Sequence, residues 1–394
     1  MNRRERGRLR DPAVQDEDSV GAGLVPTKKE STELRSFRRR LLKWFRRNRR
    51  DLPWRRTKDS YRVWISEVML QQTRVAAVIP YYRKFLTRFP TVRALARADE
   101  VDVLKYWAGL GYYSRARLLH RAAKEIVARH AGRFPRETDA AMKLPGVGRY
   151  TAAAVLSIAY DVPLAVLDGN VARVLARLDA VHGDLRAPGR WRKLETRAAN
   201  LLEARAPGDW NQAMMELGAT VCTPRSPRCG ECPVAGRCRA FARGLTESIP
   251  EKRRKRATVR VRIAAAVLLD PAGRTLLVRE TRGDASEIFS HMWQFPAVEV
   301  RRNPRAELRR RIGQQFHLKS AELSALPPAH HAVTYREITL LPFLVRVARL
   351  PRLAQGNPLS ADHGVIQRPL LAEVETVPTS SATRKIACAA LLRE

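Results

Sequence analysis

Between Leu144 and Asn170 the chain leaves itself few conformations. The stretch opens Leu144-Pro145-Gly146-Val147-Gly148-Arg149-Tyr150-Thr151, runs on through small residues, and closes on Val166-Leu167-Asp168-Gly169-Asn170. Pro145 cannot continue a helix, and the two glycines permit a tight turn with positive φ. Such a turn leaves successive backbone N–H groups unpaired at the start of a helix beginning near Tyr150. Unpaired donors at the positive end of a helix suit a phosphate; an ordinary helix connector is the other reading of the same residues. Asp168 stands at a second helix start, where an aspartate is a good N-cap. The helix terminus keeps its carboxylate ionised, so a structural cap and a chemical role are compatible.

Charge says what such an anion site would meet. Lys plus Arg number 74 against 39 Asp plus Glu, a formal net charge of +35 over 394 residues, and the excess is spread along the whole length. A polyanionic partner follows, nucleic acid being the commonest, although an Arg-rich proteome accounts for part of the excess. No apolar run approaches the roughly 20 residues that span a bilayer. The Arg-rich N-terminus carries Asp16, Glu17 and Asp18 and lacks the apolar core of a secretion signal. The expectation is a cytoplasmic, nucleoid-associated protein with no membrane contact.

Four of the five cysteines, Cys222, Cys229, Cys232 and Cys238, follow the spacing C-x6-C-x2-C-x5-C. That crowding suits a metal site in a reducing compartment better than a disulfide framework. Four thiolates can ligate Zn²⁺ or an iron–sulfur cube. Zinc ribbons usually hold two C-x2-C pairs well apart, and only one pair is present. The first gap contains Arg225 and Arg228, two candidate phosphate contacts. Cys388 lies outside the pattern and reads as a buried small hydrophobe.

Residues 1–33 are polar, charge-dense and without hydrophobic period, and read as a disordered basic extension. From Leu34 apolar positions recur at three and four (Leu34, Phe37, Leu41, Trp44, Phe45), a helix that Pro53-Trp54-Arg55 ends. Tyr61 to Ala77 reads as one long amphipathic helix, and helical segments continue to about Leu202. The texture changes near Val259: the Val261–Leu269 run, the turn Asp270-Pro271-Ala272-Gly273 and Thr275–Val278 read as a β-hairpin. This gives a multidomain chain: an all-α domain over 34–245, a charged linker over 246–259 and an α/β domain over 260–394.

A second carboxylate sits in Val63-Trp64-Ile65-Ser66-Glu67-Val68-Met69-Leu70-Gln71-Gln72-Thr73. Flanked by Trp64, Val68 and Leu70, Glu67 is either a solvated helix position or a partly desolvated acid. Desolvation raises a carboxyl pKa, as a proton donor near pH 7 requires.

These runs resemble the helix–hairpin–helix DNA glycosylase superfamily, through L-P-G-V-G and L-D-G-N. Within it S-E-V-M-L-Q-Q-T resembles the MutY adenine glycosylases, and the cysteine spacing the [4Fe–4S] loop of the endonuclease III and MutY branches. The resemblance is close over 34–245 and looser over 257–394. It implies a six-helix barrel beside a [4Fe–4S] lobe, then a Nudix-like domain. It implies Glu67 as catalytic acid and Asp168 as the carboxylate that stabilises a sugar cation. The hairpin Pro145, Gly146, Val147 and Gly148 would hold DNA, and Gln72 and Tyr112 would wedge into the duplex beside the extruded nucleotide; a surface glutamine and a core tyrosine are the plainer readings. Arg55, Glu216 and Asn170 match positions lining the adenine pocket. Tyr150 stands where endonuclease III-like members carry a Schiff-base lysine, which implies a monofunctional enzyme.

The implied function is removal of adenine opposite 8-oxoguanine or guanine in double-stranded DNA, by a monomer. The rivals are a glycosylase/lyase for oxidised pyrimidines, a pyrophosphohydrolase acting through the C-terminal domain, and a DNA-binding protein without activity. Against the second, the candidate helix Ala306–Gly313 is too basic to hold Mg²⁺. The family's lesion-reading loop is expected at His331-Ala332-Val333-Thr334-Tyr335, with Thr334 supplying the hydroxyl, and the literal copy Phe289-Ser290-His291 is expected to be a decoy.

Overall fold

The computed structural model describes residues 32–251, 257–279, 292–318, 320–333, 335–352 and 366–393. Its first part is helical. A first group comprises α1 (Thr32–Asn48), α2 (Ser60–Leu70), α3 (Val75–Arg88), α4 (Val92–Arg97), α5 (Glu100–Trp107) and α6 (Tyr113–Arg129). There follow α7 (Thr138–Lys143), α8 (Arg149–Tyr160), α9 (Gly169–Asp179), α10 (Pro188–Leu201), α11 (Pro207–Thr220) and α12 (Arg239–Ala242).

Two apolar cores divide these helices into two lobes. One gathers Trp64, Phe85, Trp107, Leu119 and their neighbours from α2 to α7. The other gathers Phe37, Phe45, Leu175 and Trp210 from α1 and α9 to α11. Helix α8 belongs to both. Its Ala152, Val155 and Leu156 enter the first core, and Ala153 and Ala154 the second. Small side chains on both faces let α8 pack at close range in both directions, and it holds the lobes together.

Three local expectations need correction. The Tyr61–Ala77 helix is two helices: α2 stops at Leu70, Gln71 leaves helical geometry and Gln72 is left-handed at φ 57°. The helical period is intact, so the break comes from tertiary contacts described below. Helix α1 ends at Asn48, whose side-chain amide donates to the Trp44 carbonyl at 2.9 Å, and Pro53–Arg55 is a separate 3₁₀ turn. Cys388 is exposed rather than buried.

The second part is α/β. Strands β1 (Val259–Leu269), β2 (Leu277–Val278), β3 (Ala297–Glu299), β4 (Ser324–Ala325), β5 (Ala329–Val333), β6 (Arg336–Arg346) and β7 (Ile366–Gln367) accompany α13 (Pro304–Phe316) and α14 (Ser381–Leu391). The main sheet runs β3-β1-β6-β4, with β5 also paired to β6, and β1 and β6 are parallel along their full length. Alternate residues of β1 feed different cores. Ala264, Ala266 and Leu268 meet Leu308 and Ile312 of α13, whereas Val261, Ala265 and Val267 meet Ile386 of α14. A central strand buried on both faces reads as a continuous apolar run. The expected hairpin is therefore formed only at its turn: Asp270–Gly273 closes on an antiparallel bridge between Leu269 and Thr275, and beyond it β1 pairs with β3 and β6 while β2 pairs with β7. The two parts touch where Tyr113 Oη donates to the Thr379 carbonyl at 3.0 Å.

Candidate active site

Glu67 faces inward from the middle of α2 and is 6% exposed. Burial pushes its carboxyl from 4.5 up to about 7; a hydrogen bond from Tyr150 pulls against this, and nearby Asp168 adds to it. Tyr150 Oη donates to Glu67 Oε2 at 2.8 Å and also lies 3.4 Å from Met215 Sδ. Buried beside two carboxyls, the phenol is held well above its ordinary value, so it serves as a neutral donor. Of the two readings of Glu67, the desolvated acid is the one observed.

Asp168 caps α9, accepting from Val171 N at 2.7 Å and from Asn170 Nδ2 at 3.0 Å. The cap does not set its titration. Burial raises the carboxyl above 3.8, outweighing the bonds from Val171 and Asn170 and the charge of Arg173. The extended segment leading to Asp168 is fixed by buried Asn211, which donates to the Leu164 carbonyl at 2.7 Å and accepts from Val166 N at 3.1 Å.

Glu67, Tyr150, Asp168, Asn170, Arg55 and Glu216 line one cavity of about 200 Å³ between the lobes. Glu216 is fully buried. Burial opposes its charge, but bonds from Arg50 and Arg55 prevail and lower it to about 2. Arg50 supplies its backbone N (3.0 Å), Nε (2.8 Å) and Nη2 (2.7 Å), and Arg55 its Nη2 (2.8 Å). Sequence reasoning missed Arg50 because it closes a run of arginines, Arg46-Arg47-Asn48-Arg49-Arg50, that gives no hint which one turns inward.

The hairpin joins α7 to α8. Gly146 has φ 76°, and a Cβ there would lie 2.8 Å from Leu118 Cβ, so glycine is required twice over. Leu144 and Val147 are buried and pin the turn, with Val147 N donating to the Leu144 carbonyl at 3.0 Å. Gly148 provides no side-chain cap, leaving the first-turn donors of α8 open to an anion. Gln72 and Tyr112 stand on two loops outside the cavity, both left-handed; Tyr112 is 44% exposed, which excludes the core-tyrosine reading. Thr334 and the Phe289–His291 run lie outside the described residues.

The four clustered cysteines fall on a loop of two 3₁₀ turns, Cys229–Glu231 and Ala235–Arg237. Cys222, Cys232 and Cys238 pack on the second core. Burial pushes Cys232 up to about 11, and the other three thiols each add to its rise. A polynuclear iron–sulfur group fits this donor set: four free thiols, half-buried, with Arg177 Nη1 3.3 Å from Cys222 Sγ. All four would hold it, and its contribution is to cross-link the loop that presents Arg225 and Arg228. Arg225 is exposed, whereas Arg228 pairs with Glu231 at 2.9 Å. The loop is also tied to the cavity: Arg173 donates to the Cys222 carbonyl (2.8 Å) and to Asn170 Oδ1 (2.9 Å), and Asn170 holds Asp168.

Comparison with known proteins bears on this arrangement. Residues 65–198 match the HhH-GPD superfamily of base excision DNA repair proteins, and residues 222–238 match the iron–sulfur binding domain of endonuclease III. Adenine DNA glycosylase of Rattus norvegicus is 48% identical over 220 residues, 54% of this chain but only 43% of that protein. The Buchnera aphidicola (strain APS) adenine DNA glycosylase is 37% identical over 66% of this chain and 73% of its own length. The one from Mycolicibacterium smegmatis is 43% identical over 58% of this chain and 78% of its own length. The chain thus spans less than half the length of its mammalian relative and more than two thirds of the two bacterial ones. With a family model laid over Glu67, Tyr150 and Asp168, and bacterial relatives matched over most of their length, the chain belongs to the adenine DNA glycosylase family.

Proposed function

We propose that the protein hydrolyses the N-glycosidic bond of adenine mispaired with 8-oxoguanine or guanine in double-stranded DNA, leaving an abasic site. One observation carries the reading: a buried carboxyl held near pH 7 shares a cavity with a second carboxyl that caps a helix. Paired carboxyls in different environments are the means by which glycosidic bonds are cleaved by acid catalysis with stabilisation of the sugar cation. The base leaves the stack at a cost of about a few kcal/mol and enters the cavity. Glu67, whose pKa of about 7 leaves a large share protonated at neutral pH, protonates the adenine ring; the bond breaks, Asp168 faces the sugar cation, and water completes hydrolysis. Arg55, Asn170 and Glu216 orient the base.

Tyr150 has no amine, so no Schiff base forms and the strand is not cut. Duplexes containing adenine opposite 8-oxoguanine, guanine or thymine test this. Strand scission is expected with the first two only, and only after alkali or heat. Efficient nicking without treatment, with borohydride trapping of a covalent complex, would overturn the monofunctional reading.

The C-terminal domain is read as the part that senses the base opposite adenine, through the loop at Thr334. Glu307 is the only carboxylate of α13, and it accepts from Arg302 N and Arg301 N at the helix start.

The pH profile follows from Glu67. A proton donor near 7 gives a rate that falls as pH rises through about 7. Burial raises the Asp168 carboxyl above 3.8, which moves the acid limb in the same direction. The Tyr150 bond lowers the Glu67 pKa, so Tyr150→Phe should move the alkaline midpoint of the single-turnover rate to higher pH. A midpoint that stays or moves down breaks the link between the phenol and the acid.

A further inference from the structure

Arg115, in the first turn of α6, is 8% exposed, and no carboxylate among the described residues pairs with it. Its guanidinium is divided between the end of α2 with the loop that follows it and the loop that precedes α6. Nη1 donates to the carbonyls of Val68 (2.8 Å), Met69 (3.0 Å) and Gln71 (2.6 Å). Nη2 reaches Thr73 Oγ1 (3.2 Å) and the carbonyls of Leu110 and Gly111 (both 3.3 Å). The group also lies over the rings of Trp107 (5.3 Å) and Tyr112 (5.5 Å). One loop carries Gln72 and the other Tyr112, at φ 57° and 47°. Left-handed backbone at such residues is strained and persists only where the surroundings over-determine it. Burial of a cation against carbonyls supplies that determination. It also ends α2, whose last carbonyls Arg115 takes in place of a continuing helix.

We propose that Arg115 is a positioning residue for base extrusion, its guanidinium fixing the Gln72 and Tyr112 loops at one separation so that the two side chains act as a paired wedge. This rests on the glycosylase reading above. Lysine cannot replace it, since an ammonium offers three donors on one atom and no planar fork to span two loops.

The test uses the full chain and duplexes with adenine, or 2-aminopurine in its place, opposite guanine. In a Glu67→Gln background, which binds without releasing the base, 2-aminopurine emission should rise on binding. Adding Arg115→Lys should keep affinity within about threefold, since phosphate contacts dominate it, yet remove most of that rise. In the otherwise unmodified chain Arg115→Lys should lower single-turnover release ~10²-fold and leave the alkaline midpoint where it was. A retained emission rise, or a shifted midpoint showing that Arg115 acts through the Glu67 helix, overturns the proposal. Thr73→Val removes one acceptor only and should show the same pattern more weakly; if Arg115→Lys does not fold, an unchanged Thr73→Val overturns the proposal instead. Failure of the unmodified chain to release adenine would sink the glycosylase reading and leave the emission result to be judged alone.

Discussion

Glu67→Gln and Asp168→Asn should each lower single-turnover adenine release by ~10²–10⁴, the range of a positioned acid or base, while mispair affinity stays within about tenfold. Each substitution keeps one defining bond of the local structure. A glutamine at 67 still accepts from Tyr150, whose 2.8 Å bond needs only an oxygen. An asparagine at 168 still caps α9 through Val171 N, asparagine and aspartate being equivalent N-caps, but gives up the bond from Asn170 Nδ2, since its amide nitrogen cannot accept. The loss therefore reads chemistry. Stability moves the other way for Glu67. Its folded pKa of about 7 lies above the ordinary 4.5, so the folded state binds the extra proton. That contribution is full below about 4.5 and lost as pH rises through about 7, where a buried carboxylate must be charged. Glu67→Gln should thus raise the melting temperature at pH 8 and change it little at pH 4. A rate near wild type for either variant removes that residue from the mechanism, and a lower melting temperature at pH 8 contradicts the burial argument.

What the sequence made legible was local chemistry with a fixed spacing. Pro145, Gly146 and Gly148 dictate a hairpin because few other residues tolerate it, and Gly146 has both the positive φ and the close neighbour that require glycine. The cysteine spacing and the cap at Asp168 are local in the same sense. Residues acting across the fold were hidden. Arg50 lies among arginines that face water, and its bonds to Glu216 cross 166 positions. Arg115 breaks the Tyr61–Ala77 period from 44 to 47 positions away, so a helix that periodicity supports is ended by a guanidinium it cannot see. The hairpin expected at Val261–Val278 stops at its turn, where Leu269 bridges Thr275, for a related reason. A strand buried on both faces looks the same whichever neighbour it has, and pairing is decided by long-range packing.

Purified without oxygen, the protein should be brown, with about four irons and little zinc, and Cys232→Ser should lose the colour. Cys232 is the ligand whose loss should matter most. Its thiol is packed on the second core and feels the charge of the other three, so an uncoordinated hydroxyl there leaves the loop without its cross-link. Two effects should follow from that one change. DNA affinity should fall, and its salt slope should shrink by about 1 to 2, one unit for each phosphate that Arg225 and Arg228 no longer neutralise. Arg225 should account for more of this than Arg228, which already pairs with Glu231. Adenine release should also slow at saturating protein, since the path Cys222 carbonyl, Arg173, Asn170, Asp168 runs through bonds of 2.8, 2.9 and 3.0 Å. Arg225→Ala separates the two, weakening binding and lowering the slope by about 1 with the saturated rate kept. Stoichiometric zinc in the anaerobic protein would overturn the cluster, and a Cys232→Ser protein with unchanged saturated rate would show that the loop holds DNA without holding Asp168.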